Sequence, residues 1–368
     1  MRKPLKHIIT VAALAAASPL HAQEQRQATP TGAEFLNVNN DIKSSGMGNL
    51  RSAHNGDAFA IFSNPARVSF QHNRTMLNDV SMSYIPLVSA LTKDIKLISL
   101  STNHWVGGGS YNESYLSFGL QYLTYGDVFF TDNMGNETDY VRPREFAISA
   151  TYSKRFGEYW SMGLTPKIIL SRLGSASLES MGYSGNATAV AVDAGVFGKI
   201  PMANGNFNMG LVIQNVGTKL KYSENSEQAA YLPQVARLGI GADFGDIDDI
   251  QAYIGIEANL PLLPSYSEDY HVGGAIDGIG QSVGGMSGPG FAIGGQLSFI
   301  DQFSIRAGYE KEAEAFNKRS LLTAGLGINL FFDSRVISID GAYVFPTGDN
   351  TIGMSNMYKI GLSFMIYE

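Results

Sequence analysis

The chain has 368 residues, with 26 Lys+Arg against 33 Asp+Glu, a formal net charge of −7 and no cysteine. The acidic balance argues against a nucleic-acid partner, which needs a basic surface. The lack of cysteine excludes disulfides, thiolate metal sites and a lipid-anchored start. With 41 glycines, 18 tyrosines, 20 phenylalanines and only 16% charged residues, the composition fits an exported β-rich protein or an outer-membrane barrel, glycine being well above its usual share of roughly 7%.

Residues 1–22 carry Arg2, Lys3 and Lys6, then an apolar run from Ile8 to Ala17 and the break Ser18-Pro19-Leu20-His21-Ala22. These are the parts of a secretory signal, too short to span a bilayer as a helix. The mature chain is expected to start near Gln23, more acidic by the loss of three cations. No later apolar run approaches the roughly 18 residues that a membrane helix requires.

Residues 23–77 show no regular period. They contain "KSSGMGNLRSAHNGDAFAIFSNPARVSF" (43–70), which is too irregular for a strand pair and too long for a tail. Irregular backbone at membrane depth is tolerated where it is buried in protein. The segment is therefore expected to fold as a plug, with Gly46, Met47 and Gly48 making one tight turn and Asn64, Pro65 and Ala66 another. Met47, Leu50, Phe59, Ile61 and Phe62 would pack it against a wall.

From residue 78 to 368 the dominant period is two. Phe146, Ile148, Ala150 and Tyr152 alternate with Ala147, Ser149, Thr151 and Ser153, and the chain ends with Tyr358, Ile360, Leu362, Phe364 and Ile366 against Lys359, Gly361 and Ser363. This is the pattern of membrane-spanning strands, apolar towards lipid and small or polar towards a lumen. Strands are expected near 78–86, 93–104, 114–126, 144–156, 159–172, 188–200, 206–219, 234–244, 250–260, 290–299, 302–310, 319–331, 336–345 and 356–367. The connections alternate between short ones, such as Gly157-Glu158, and long ones, at 127–143, 173–187, 220–233, 261–289 and 346–355. Bacterial barrels join strands in this way, with short periplasmic turns and long outer loops. The fold expected is all-β, a transmembrane antiparallel up-and-down barrel of about fourteen strands with an N-terminal plug, in the outer membrane.

Lys167, Asp193, Arg237, Glu257, Arg306, Asp340 and Lys359 all fall on the face opposite the apolar residues. A charge facing lipid near the midplane costs a few kcal/mol, so these seven belong to the lumen.

The stretches "SSGMGNL" and "DAFAIFSNPARVSF" resemble the N-terminal signature of FadL-like outer-membrane proteins. Further on, "SMSYIPLVSALTKDIKLISLS" (81–101), "LQYLTYGDVFFTDNMGNETDYVRPREFAISATYSKRF" (120–156) and "ISIDGAYVFPTGDN" (337–350) are similar to the PorV/PorQ family of type IX secretion barrels. The chain departs from the pattern at Ser63 and Leu87, where an aromatic residue would be expected. The resemblance covers nearly the whole mature chain. It implies a binding and shuttle subunit in the outer-membrane lipid. Such a subunit associates with a large SprA-like translocon barrel, receives cargo by a shared C-terminal β-domain and passes it to a PorU-like sortase complex. On this view the long outer loops carry the contacts. Phe129, Phe130 and Tyr140 stand out in 127–143, and Tyr266, Tyr270, Ile276, Ile279, Val283 and Met286 in 261–289.

A FadL-type transporter of hydrophobic small molecules is the alternative; it predicts an apolar pocket between plug and lumen. An enzyme has no support. His54, His72, His104 and His271 lack metal-ligand spacing, and there is no G-x-S-x-G elbow. Asp246-Ile247-Asp248-Asp249 lacks the glycine and closing glutamate of a calcium loop, and the glycine clusters lack a nucleotide-binding spacing. No cofactor or metal is implied.

Overall fold

The computed structural model describes residues 31–55, 57–70, 76–87, 94–109, 111–131, 134–135, 137–174, 185–222, 229–247, 249–263, 288–313, 319–347 and 356–367. Its strands are β1 (Met76–Pro86), β2 (Lys96–Gly107), β3 (Ser114–Thr124), β4 (Val128–Thr131), β5 (Glu137–Val141), β6 (Arg144–Phe156), β7 (Trp160–Arg172), β8 (Asn186–Met202), β9 (Gly205–Gly217), β10 (Leu220–Lys221), β11 (Ala229–Ala230), β12 (Val235–Ile247), β13 (Ile250–Pro261), β14 (Gly290–Phe299), β15 (Phe303–Lys311), β16 (Ser320–Phe332), β17 (Arg335–Thr347) and β18 (Met357–Tyr367). Fourteen of them close into one antiparallel barrel in the order β1-β18-β17-β16-β15-β14-β13-β12-β9-β8-β7-β6-β3-β2. Closure is sealed by β1, which pairs with both β2 and β18. All fourteen expected strands are present, with ends shifted by a few residues.

Two hairpins were not anticipated. β4 pairs with β5, and β10 with β11, inside stretches expected to be loops. Strands of two to five residues are too short for alternation to register.

The strands run eBeBeBeBeB and similar along their length, and the exposed positions are apolar. Leu100, Phe118, Ile148, Leu164, Leu238, Ile256 and Leu362 form a belt, each about half exposed. Trp105, Phe156, Trp160, Phe303, Phe331 and Phe332 ring the short-turn end, and Phe291, Tyr343, Phe345 and Tyr358 the other. An apolar band between aromatic girdles is the lipid-facing surface of an outer-membrane barrel.

Residues 31–70 lie inside. Thr31 bridges Tyr231, and the Gly32 amide donates to the Tyr231 carbonyl at 2.8 Å, at the long-loop end. From there the chain descends to Phe70, which meets Phe197 edge-on and lies under the Arg155 guanidinium near the short turns. It does so through one short helix, Ile42–Gly46, and three 3-10 turns, Glu34–Asn37, Ala58–Phe62 and Pro65–Phe70. Asp41 caps the helix by accepting from the Ser44 amide, and Asp57 caps the second turn by accepting from Phe59. These side chains satisfy first-turn amides that have no partner within the element.

Candidate functional site

The lumenal segment is held first by shape. A Cβ on Gly210 would lie 1.9 Å from the Ser52 carbonyl oxygen, and one on Gly163 2.5 Å from the Pro65 carbonyl carbon. Inward-facing wall glycines thus serve as notches into which the segment's backbone fits. The Gly46-Met47-Gly48 turn passes Gly325, Gly294 and Gly308 in this way. Gly48 has φ +67, and its amide donates to Thr323 Oγ1 at 2.7 Å. Any side chain there would be strained and would strike the Ile293 carbonyl. Asn64 donates to the Ser52 and Val196 carbonyls and accepts from the Ala66 amide, while the Ala66 carbonyl accepts from Ser161 Oγ at 2.6 Å.

At mid-depth the contacts are ionic. Arg67 has no solvent exposure. Its Nε donates to the His54 carbonyl at 2.9 Å, one terminal nitrogen to the Arg51 carbonyl at 2.6 Å and Ser63 Oγ at 2.8 Å, and the other to the Asn55 carbonyl at 3.1 Å. That second nitrogen also lies 3.4 Å from Asp41 Oδ2, which sits 3.1 Å from His54 Nε2. A buried guanidinium demands acceptors for all its donors, and the segment supplies them. Ser63, where an aromatic residue would fit the family pattern, is one of those acceptors. Burial disfavours the charged form of Asp41, but the adjoining His54 and Arg67 outweigh it and hold the carboxyl well below its usual range. Burial, then the Arg67 charge, pushes the His54 imidazole below its ordinary value, while Asp41 pulls the other way.

The seven charges assigned to the lumen from the sequence are buried. Lys167 and Asp193 are 2.6 Å apart, Arg306 and Asp340 2.7 Å, and Arg237 and Glu257 3.7 Å. Glu257 Oε2 also accepts from the Arg51 and Ser52 amides and from Ser52 Oγ, at 2.8, 2.7 and 2.6 Å. Lys359 donates to the Asn39 carbonyl and Ser45 Oγ, both at 3.0 Å. The wall therefore grips the segment through charge-assisted bonds. Sequence reasoning missed Arg67, Asp41 and His54. The one available signal was a cation two residues after Pro65 in a stretch expected to be buried.

Towards the long-loop end the lumen is apolar. Phe35 and Leu36 pack with inward-facing Ile85, Leu97, Leu123 and Ile169, roofed by Leu220 and Leu232. The expectation of a charged, small or hydroxylated lumen fails in this layer. Leu123, inward-facing near the end of β3, is one of its members. The predicted apolar pocket is here a packed layer filled by the chain's own side chains. At the short-turn end a cavity of 390 Å³ is lined by polar groups, among them Lys43, His54, Lys199, Asp243 and Arg306.

Outside, the β4–β5 hairpin stands beyond the barrel rim, its base tied by the Arg142–Asp127 ion pair. Phe129 and Tyr140 are 54% and 56% exposed with ring centroids 6.4 Å apart, and Phe130 is 37% exposed. Tyr266, Tyr270, Ile276, Ile279, Val283 and Met286 lie outside the described residues.

The family model described as type IX secretion system protein PorV matches residues 21–267. Among solved structures, the chain is similar to the Ralstonia pickettii toluene transporter TbuX, at 12% identity and TM-score 0.50, covering 89% of this chain and 97% of that one. It is equally similar to the P. putida toluene transporter TodX, at 12% identity and TM-score 0.50, covering 89% and 98%. At that identity the likeness concerns the fold. No curated protein matches by sequence. A match over two thirds of the chain, on a closed barrel with a lipid-facing belt, places this outer-membrane protein in the PorV family of the type IX secretion system.

Proposed function

We propose that the chain is a non-catalytic shuttle subunit of the secretion system. It binds exported cargo through the cargo's C-terminal β-domain beside an SprA-like translocon barrel, and delivers it to a PorU-like sortase complex. Residues 1–22 act as the export signal, 23–77 as the lumenal plug and 78–368 as the barrel. The observation that carries this reading is the division between a filled interior and an outer hairpin that presents aromatic side chains. A lumen occupied in its outer and middle layers by the protein's own groups leaves the outer surface as the place for recognition. Exposed aromatics on a tied hairpin are typical interaction anchors.

The test is affinity co-purification from detergent-solubilised outer membranes, comparing the natural chain with a Phe129→Ser, Tyr140→Ser double variant. The expected result is a very large barrel and proteins with a shared C-terminal β-domain alongside the natural chain, both depleted at least tenfold with the variant. Equal recovery by both would remove the hairpin from the contact. Recovery of the barrel alone, carrying aromatic or fatty small molecules, would favour the transporter reading, whose structural support is the apolar outer layer around Phe35.

A further inference from the structure

The outward face of the wall carries a polar cluster where β1 and β2 approach the short-turn end. Asn78, Thr102 and His104 point out, whereas Asp79 and Asn103 beside them are buried inward. Asn78 and His104 are direct cross-strand partners, and Thr102 stands between Val80 and Phe118, both nearly half exposed in the belt. Asn78 Oδ1 lies 2.6 Å from His104 Nδ1. Thr102 Oγ1 lies 3.1 Å from His104 Nε2 and donates to the Asp79 carbonyl at 2.8 Å. Polar and ionisable side chains facing hydrocarbon are costly, and their presence points to a function. His104 precedes Trp105 of the aromatic girdle, which places the cluster at the depth of lipid head and ester groups.

The cluster leaves donors towards the lipid. The Asn78 bond uses its oxygen, so the two hydrogens on its amide nitrogen remain for a ligand. A cation stands two strands away. Leu116 of β3 is opposite His104 on one side and Tyr152 of β6 on the other, and Lys154 is the next outward residue after Tyr152. The Lys154 ammonium lies 5.7 Å over the Phe156 ring and has no carboxylate within ion-pair distance among the described residues. Glu113 faces Arg155 instead, at 3.9 Å. The polar arc is bounded on both sides. Ile366 is opposite Asn78, and Met162 and Leu164 are opposite Lys154 and Tyr152. Amide hydrogens and an unpaired ammonium at head-group depth, above apolar side chains, complement an anionic phosphate that carries acyl chains.

We propose that this arc binds one phospholipid of the periplasmic leaflet, the side of the short turns. Its phosphate meets Lys154, its glycerol-ester region meets Asn78 and His104, and its chains lie on Val80, Leu116 and Phe118. The experiment is native mass spectrometry of the delipidated full-length barrel, with dioleoylphosphatidylethanolamine and dioleoylglycerol as separate probes. One phosphatidylethanolamine should stay bound at energies that strip the rest. Its retention should fall about fivefold or more with His104→Leu and with Lys154→Met, and stay unchanged with Lys311→Met at the outer end of β15. Dioleoylglycerol, which has the chains and esters but no phosphate, should be retained about fivefold less. A second measurement needs no variant: phosphatidylethanolamine with a photoreactive head group should label peptides from 96–107 and 144–156. Equal retention by all the variants, equal retention of the two lipids, or label spread evenly around the barrel would overturn the site. Loss of a co-purifying membrane protein with His104→Leu, at unchanged lipid retention, would also overturn it and give this face to a protein.

Discussion

The outer and middle layers of the lumen close the same barrel by different physics. In the outer layer Phe35 and Leu36 fill space against Ile85, Leu97, Leu123 and Ile169. In the middle layer Arg67, Asp41, His54, Glu257 and Lys359 are joined by directional bonds. Apolar packing is non-directional and tolerates changes that conserve volume. A buried ionic network tolerates almost none, because loss of one partner strands the other in a poor solvent. The outer layer excludes water, and the middle layer fixes where the segment sits.

Arg67→Ala should break the comparison hardest. It leaves Asp41 buried without its guanidinium, at a cost of about 3–5 kcal/mol, read as a large fall in the thermal midpoint of the purified barrel. Arg67→Lys should not rescue it, since an ammonium cannot reproduce the fork of bonds to three carbonyls. Next comes Phe35→Ala, which should cost about 3 kcal/mol through the cavity it opens, whereas Phe35→Leu should cost less than about 1.5 kcal/mol. Equal sensitivity of the two layers to conservative change would contradict the distinction. Gly210→Ala, whose Cβ would meet the Ser52 carbonyl, should cost about 1–3 kcal/mol as overpacking. Gly341→Ala, with nothing within 4 Å of its Cβ, is the matched control and should leave the midpoint unchanged.

The last effect concerns pH and has the opposite sign. Asp57 is raised from 3.8 to about 7, chiefly by burial. A folded carboxyl raised above its unfolded value destabilises increasingly as pH climbs from about 4 to about 7, and the cost is constant above that. Asp57→Asn keeps an oxygen for the Phe59 amide while removing the charge. It should therefore stabilise the barrel at pH 8 and do so less at pH 5, by comparison of thermal midpoints. A gain confined to pH 5 would refute the assignment.

The barrel was legible because lipid on one side and a filled lumen on the other impose alternation. Strand β6 sets Phe146 and Ile148 outward against Ala147 and Ser149 inward, and the period appears without any knowledge of neighbours. The outer apolar layer was not legible for the same reason. Ile169 faces inward between outward Ile168 and half-buried Leu170, and an apolar residue on each face erases the period. The wall glycines were visible only as an excess, since a notch is defined by the backbone that enters it. Arg67 was hidden because its acceptors are mostly backbone carbonyls, which every residue has.

On the proposed reading, residues 31–70 close the lumen and the protein acts at its surface. Single-channel recording of the purified barrel in a planar bilayer tests it most directly, with Arg67→Ala recorded beside the natural chain. No sustained current is expected from the natural chain, and intermittent openings from the variant as the segment loosens. A steady, ohmic conductance from the natural chain would contradict it.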